Sequence, residues 1–364
     1  MKISARILWL ISSIAFVAVY ACPASAQFTS SQTIAVGSQP RGIAIDDLGN
    51  GHPDIVVANS ISNTVSVLLG DGAGTFTRTD YAAGTGPTSL EIADVNGDGK
   101  KDIVVCDYQG GTVGVLLGNG NGTFQAVKTY AVGYSPQSLT VGNLDSTSNV
   151  YVVVTVLSTN TVKVLRGTAA GLVPVSTYPV GRLPWAVELA DLNHDGYADI
   201  VTANTYGSNA SVLLGTGAGH FNPAVNYSFV GGGSTSLAIA DINGDGYPDL
   251  VFPNYFAPQM VTFDNKGDGT FTAVVKTPAA GNGYSIAAAN LQGRTGYSDF
   301  IIADLNNNFI DVEYNDGSGG FTSHAHFATG VQPVYVEAGD LKNRGKTDVV
   351  VSNLGSNTIT IWYQ

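Results

Sequence analysis

This sequence predicts an all-β fold: seven similar four-stranded units arranged in a closed ring. Three observations carry the prediction. An acidic motif recurs at Asp46, Asp94, Asn143, Asp191, Asp241, Asn290 and Asp340, at intervals of 48, 49, 48, 50, 49 and 50 residues. Between the copies, short alternating apolar segments are separated by Gly-rich turns, and no apolar period of 3.6 persists long enough for a helix. The two ends of the chain are also complementary. "NTITIWYQ" (357–364) stops after the third strand of a unit, while "FTSSQTIAVG" (28–37) resembles the fourth-strand segment "FTRTDYAAG" (76–84). Four strands in a repeat of about 50 residues make one propeller blade. The ring of antiparallel blades therefore closes by pairing the N-terminal strand with the C-terminal blade, which leaves no free sheet edge.

Each unit reads in the same order. A connection of the "GxxPxx" type ("GSQPRG", "GTGPTS", "GYSPQS", "GRLPWA", "GVQPVY") leads into a short alternating strand such as "SLEIAD". The acidic loop follows, then an apolar strand such as "DIVVCD". A polar turn leads to a third strand such as "TVSVLLG". A Gly-rich turn ending in Phe ("GDGAGTF", "GNGNGTF", "GTGAGHF") leads to the fourth.

Composition agrees with a turn-rich β protein: 45 of 364 residues are Gly and only 12% are charged, which suits neither a disordered chain nor a helical one. Residues 1–26 read as a secretory signal peptide. Lys2 and Arg6 precede an apolar run, and Ala24-Ser25-Ala26 offers a cleavage site before Gln27. The mature chain, 27–364, is then one propeller domain without a transmembrane segment, exported to the periplasm or the extracellular space; lipid anchoring at Cys22 is the lesser alternative. Loss of the leader takes the net charge from −12 to about −14 and leaves Cys106 without a disulfide partner. Such an acidic protein is a poor partner for nucleic acid or anionic membrane and a good one for cations.

Three acidic loops carry oxygen side chains at positions 1, 3, 5 and 9, a backbone carbonyl at 7 and Gly at 6. They are Asp94, Asn96, Asp98, Lys100 (carbonyl) and Asp102; Asp191, Asn193, Asp195, Tyr197 (carbonyl) and Asp199; and Asp241, Asn243, Asp245, Tyr247 (carbonyl) and Asp249. Clustered oxygens suit a hard cation, above all Ca2+, and neighbouring carboxylates repel without one. The sequence thus predicts about three structural calcium sites. An EF-hand is excluded, because position 12 is Val105, Thr202 or Phe252 and the flanks are strands. In blade one, Asp46, Asn50 and Asp54 form at best a weak site. Blade three has Tyr151 for the last Asp, and blade six has an extra residue and Arg294. Blade seven has Lys342 and Arg344, the latter expected to act as a built-in cation.

These residues resemble the FG-GAP (VCBS-type) repeat family, which includes the seven-bladed propeller of integrin α chains. "DVNGDGKKD", "DLNHDGYAD" and "DINGDGYPD" look like its calcium loops, and "LLGDGAGTF" and "LLGNGNGTF" like its Gly-rich turns. The resemblance spans the mature chain. It implies calcium in hairpins on one face and recognition on the other, as in integrins and fungal GlcNAc-binding propeller lectins.

In such a blade the acidic loops share a face with the third turn. The opposite face collects the blade connections and second turns, with Arg41, Tyr108, Tyr134, Gln137, Trp185, Tyr206, Tyr255, Phe256 and Tyr335 as candidate ligand-face residues. Aromatic rings among Asn, Ser and Gln suit an extracellular glycan or a protein partner. No Gly-x-Ser-x-Gly or His-Glu-x-x-His occurs, and His324 and His326 show no third ligand in sequence. The function expected is a monomeric recognition or adhesion module; the alternative is a propeller-type extracellular hydrolase or lyase acting on carbohydrate or lipid.

Overall fold

The computed structural model describes residues 28–364 apart from 146, 148, 230, 231, 273, 274 and 279–281, and without the side chains of 275–278 and 322. The proposed leader lies outside the described residues. No helix among those described is long and apolar enough to cross a membrane.

Seven four-stranded antiparallel sheets form the blades. Blade one is Pro40–Asp46, Asp54–Asn59, Thr64–Gly70 and Phe76–Ala82, in that order from the ring axis outward. Blade seven is built from both ends of the chain. Ser30–Ala35 pairs with Thr358–Tyr363, from Ser30 opposite Tyr363 to Ala35 opposite Thr358, and supplies its outer strand. A small extra hairpin, Gly215–Gly217 with His220–Phe221, ornaments the third turn of blade four.

The second strands answer why acidic loops abut runs such as "DIVV". Asp54–Asn59, Asp102–Asp107 and Asp199–Asn204 are buried along their whole length, covered on both faces by neighbouring blades. Each gap between blades holds its own apolar cluster. Val56, Val65 and Val67 meet Leu90, Ile103 and Val105 between blades one and two, and Ile43, Ile55 and Val57 meet Val350, Ile359 and Ile361 between blades one and seven. The ring is therefore one continuous circle of cores, closed by the same packing that builds it.

The Phe ending the third turn crosses to the preceding blade. Phe124 meets Tyr81 edge-on at 5.5 Å, Phe221 meets Tyr178 at 5.6 Å, and Phe271 meets Tyr227 at 5.3 Å, a favoured aromatic geometry. Blade seven has no such turn, and Phe28 substitutes, edge-on to Phe327 of blade six at 4.8 Å.

On the opposite face, an Asn in the left-handed region ends the second turn of several blades and pins the next connection. Asn63, Asn160, Asn308 and Asn357 have φ of 54, 53, 61 and 57°. Their side-chain oxygens accept the N–H of Gly86, Leu183, Gln332 and Gln39 at 2.8–2.9 Å. The last of these joins blade seven to blade one.

Candidate functional site

The three full acidic loops share one hydrogen-bond network. Position one caps the turn: Asp94 Oδ2 accepts the N–H of Gly99 at 2.7 Å, as Asp191 does from Gly196 and Asp241 from Gly246, both at 2.9 Å. Those glycines have φ of 82, 88 and 88°, a conformation a side chain would strain. Position five accepts the N–H of position seven, at 3.0 Å for Asp98 and 2.9 Å for Asp195 and Asp245. The Asn at position three reaches the position-five carboxylate at 3.2 Å from Asn96 and 3.0 Å from Asn193 and Asn243.

Position nine does something the sequence reading missed. Asp102 is fully buried, and its two oxygens accept the N–H of Val95 at 3.0 Å and of Gly118 at 2.9 Å. It thus ties the acidic loop to the end of the third strand. Asp199 does the same with Leu192 and Gly215, and Asp249 with Ile242 and Asn265. The motif also persists where the rest of the loop has degenerated: Asp54 holds Leu48 and Gly70, Asp299 holds Leu291 and Asn315, and Asp348 holds Leu341 and Gln364.

The degenerate blades differ in one respect. Three of the four supply a side-chain N–H to the same oxygen of the aspartate that closes the loop: Asn50 to Asp54 at 2.9 Å, Gln292 to Asp299 at 2.6 Å, and the guanidinium of Arg344 to Asp348 at 2.8 Å. In the full loops that oxygen accepts only a backbone N–H. Burial chiefly pushes Asp199 and Asp249 up to about 6, and the loops' other carboxylates add to it. The full loops thus lack the nitrogen that blades one, six and seven carry, and their remaining oxygen lone pairs are those a hard cation takes. The carboxylates turn onto their own amides, and no three His, Cys, Asp or Glu side chains among the described residues converge on one ion-sized point.

Blade one departs from the sequence reading in detail. Asp47, not Asp46, caps the loop amides of Gly49, Asn50 and Gly51, and Asp46 pairs with Lys101 of blade two at 2.6 Å. In blade three the Tyr151 hydroxyl donates to Asp145 at 2.8 Å. Blade seven matches the expectation of an internal cation, and it gives a test. Arg344→Asp with Lys342→Asn would restore the full donor set, and equilibrium dialysis should then register one more bound calcium than in the parent. An unchanged stoichiometry refutes the role assigned to Arg344.

The other face centres on the channel. In six blades the inner strand carries a register shift directly after its first residue, for example between Pro87 and Ser89. Such bulges re-aim side chains, and here the next residues line the channel mouth. Of the sequence-predicted ligand-face residues, the structure brings Arg41, Gln137, Trp185 and Tyr335 together there, around a cavity of about 60 Å3. Tyr108, Tyr134, Tyr206 and Phe256 stand exposed outside this group, Tyr134 the most at 84%. Arg182 lies over the Tyr206 ring at 6.0 Å. Tyr255 is half-buried, edge-on to Phe256 at 5.1 Å and to Tyr284 at 5.8 Å, so it joins the rim to the mouth. Tyr284 was not singled out in the sequence.

Three acidic residues were also missed. Glu91, Glu188 and Glu337 stand on the inner strands of blades two, four and seven, each four residues after that strand's Pro. With Tyr335 they line a polar chamber of about 220 Å3 below the mouth. His326 stands exposed at the surface, and its ring bonds the buried Asp311 of the neighbouring strand.

The repeat assignment has a direct counterpart in known proteins. Residues 46–105, 94–154 and 191–252 match the FG-GAP-like repeat, and residues 234–274 match the FG-GAP repeat. The chain belongs to the FG-GAP repeat family, built here as a seven-bladed β-propeller. Among solved structures it is similar to an Agrocybe aegerita lectin described as recognising non-reducing terminal N-acetylglucosamine, with 18% identity, TM-score 0.53, and 91% of this chain and 86% of that one covered. It is similar to Kuenenia stuttgartiensis hydrazine synthase at 16% identity, TM-score 0.64, covering 90% and 96%. It is also similar to BBS1N in its complex with ARL6DN, at 12% identity, TM-score 0.67, covering 92% and 96%. At these identities the likeness concerns the fold. No curated protein sequence matches the chain.

Proposed function

We propose that this protein is an exported recognition module, held rigid by about three structural calcium ions, that binds carbohydrate on the face opposite its acidic hairpins. One observation carries the reading: exposed rings at Tyr108, Tyr134, Tyr206 and Phe256 lie on the second turns and connections, the face on which Trp185 walls the channel mouth. Flat rings bordered by amide and hydroxyl groups suit the apolar faces and hydroxyls of sugars. The similar fold of a GlcNAc-recognising lectin supports the class of ligand without naming it. Asp94, Asn96, Asp98 and Asp102, with their counterparts in blades four and five, would hold calcium, which stiffens the hairpins and takes no part in the contact.

A hydrolase or lyase is the second reading, favoured by the three channel carboxylates. A glycan array run beside a hydrolase screen on the same sample separates them. Binding without turnover is expected, and Trp185→Ala should weaken it about tenfold, on the order of 1.4 kcal/mol, by isothermal titration. Turnover of an arrayed sugar would favour the enzyme; silence in both assays would remove the carbohydrate reading.

A further inference from the structure

The channel holds three carboxyl groups that no protein cation among the described residues pairs with. Glu91, Glu188 and Glu337 occupy the same register position of their inner strands, so the ring brings them to one level from three sides. None of them is in an ion pair among the described residues. The only basic side chain among the residues lining the chamber and its mouth is Arg41, at the mouth. The chamber and mouth share Glu188 and Tyr335, so they adjoin. Each Glu is half-buried, shut off from bulk water while one side faces the cavity. Desolvation, then the neighbouring carboxylates, pushes Glu91 well up and Glu188 up to about 8, and burial takes Glu337 up to about 7.

A second, independent feature points into the same space. Gln137 lines the mouth, is only 8% exposed, and its side-chain amide has no partner; the bond at this residue is from the Thr88 hydroxyl to its backbone carbonyl. That amide opens onto the cavity, where it is free to bond a ligand. Around it stand the rings of Trp185, Tyr284 and Tyr335. Aromatic faces above unpaired carboxylates form the environment that attracts an organic ammonium group, the ring quadrupole and the anions acting together. A bare metal ion would gain nothing from the rings, whereas an ammonium with a carbon skeleton uses both.

We propose that the channel is a binding site for an ammonium-bearing ligand, its cationic nitrogen held between Glu188 and Glu337 and its skeleton stacked at Trp185. The ammonium can belong to a free aliphatic amine or to an amino sugar whose nitrogen carries no acyl group. The second case rests on the carbohydrate reading above and deepens it; the first stands without it.

The test is isothermal titration of the calcium-loaded protein with three probes: spermidine, a glucosamine trimer, and the same trimer fully N-acetylated. At least one amine probe is expected to bind tenfold or more tightly than the acetylated trimer. Glu188→Gln should remove most of that preference, and Glu337→Gln, a second variant that also only deletes charge, should act the same way. Both variants should melt at or above the parent temperature above pH 8, where the parent's raised carboxyls ionise and repel one another. Amines binding while no neutral glycan does would uphold the site and sink the carbohydrate reading; neutral glycan binding with no preference for amine would do the reverse. Equal affinity for acetylated and free trimer, or heat only from divalent metal ions, overturns the proposal.

Discussion

Replacing Asp54 by Ala is expected to cost on the order of 3–5 kcal/mol, and by the same amount in calcium as in chelator. The side chain is fully buried and accepts the N–H of Leu48 at 3.0 Å and of Gly70 at 2.7 Å, besides the amide of Asn50. Truncation strands two buried backbone donors, each worth about 1–3 kcal/mol when left unpaired, and unties the acidic loop from the third strand. Asp54→Asn keeps one acceptor oxygen and should lose roughly half as much. The comparison that gives the result meaning is Asp199→Ala in blade four. That residue makes the same two backbone bonds, to Leu192 and Gly215, so its loss in chelator should equal that of Asp54→Ala. With calcium present its loss should be larger, because a metal ligand goes with it. Urea unfolding of the four proteins in both buffers reads this directly. A change under 0.5 kcal/mol for Asp54→Ala, within the range of an ordinary surface substitution, would mean the carboxylate is not the tie that its geometry indicates.

How much of this was legible follows from where each signal lives. The ring, the blade boundaries and the closing strand are properties of period and pattern, and pattern survives in one dimension. The interval of 48–50 residues, the apolar second strands and the matched ends at Phe28 and Tyr363 are enough to set the topology. The full acidic loops were legible for the same reason: their residues lie within nine positions of one another. The ninth Asp was legible as an oxygen donor but not as a tie, because one of its partners lies 16 residues downstream, as Gly118 does from Asp102. The cap of blade one was not legible because Asp46 and Asp47 differ only in which way the turn faces them; Asp46 turns to Lys101 in the next blade. The channel trio was least visible. Glu91, Glu188 and Glu337 come from three different blades and each is a lone charge in an apolar strand; only closure makes them neighbours. Their common offset from Pro87, Pro184 and Pro333 was the available signal, and it becomes informative once the blades are overlaid strand by strand.

Chelation of the native protein should lower its melting temperature by about 15 °C. Each full loop carries three carboxylates, and in blades four and five burial holds the ninth well above its ordinary range, so the folded loop is short of positive charge. An ion that binds only the folded state contributes about 2.7 kcal/mol when present at a hundred times its dissociation constant. Three independent sites reach roughly 8 kcal/mol, and a chain of this size shifts by about 2 °C per kcal/mol. The loops belong to blades two, four and five, and seven apolar clusters link every blade to the next. A loop that loosens in one blade therefore weakens the whole cooperative unit instead of fraying alone. Calorimetry in excess calcium and in excess chelator measures the shift. Asp98→Ala and Asp195→Ala should each remove one ion and about a third of the effect, whereas Asp47→Ala in blade one should leave the calcium dependence unchanged. If the two calorimetric traces of the parent coincide, the oxygen clusters at positions one, three, five and nine are polar turns closed by their own amides, and the stiffness of the hairpins comes from the ninth-position carboxylates alone.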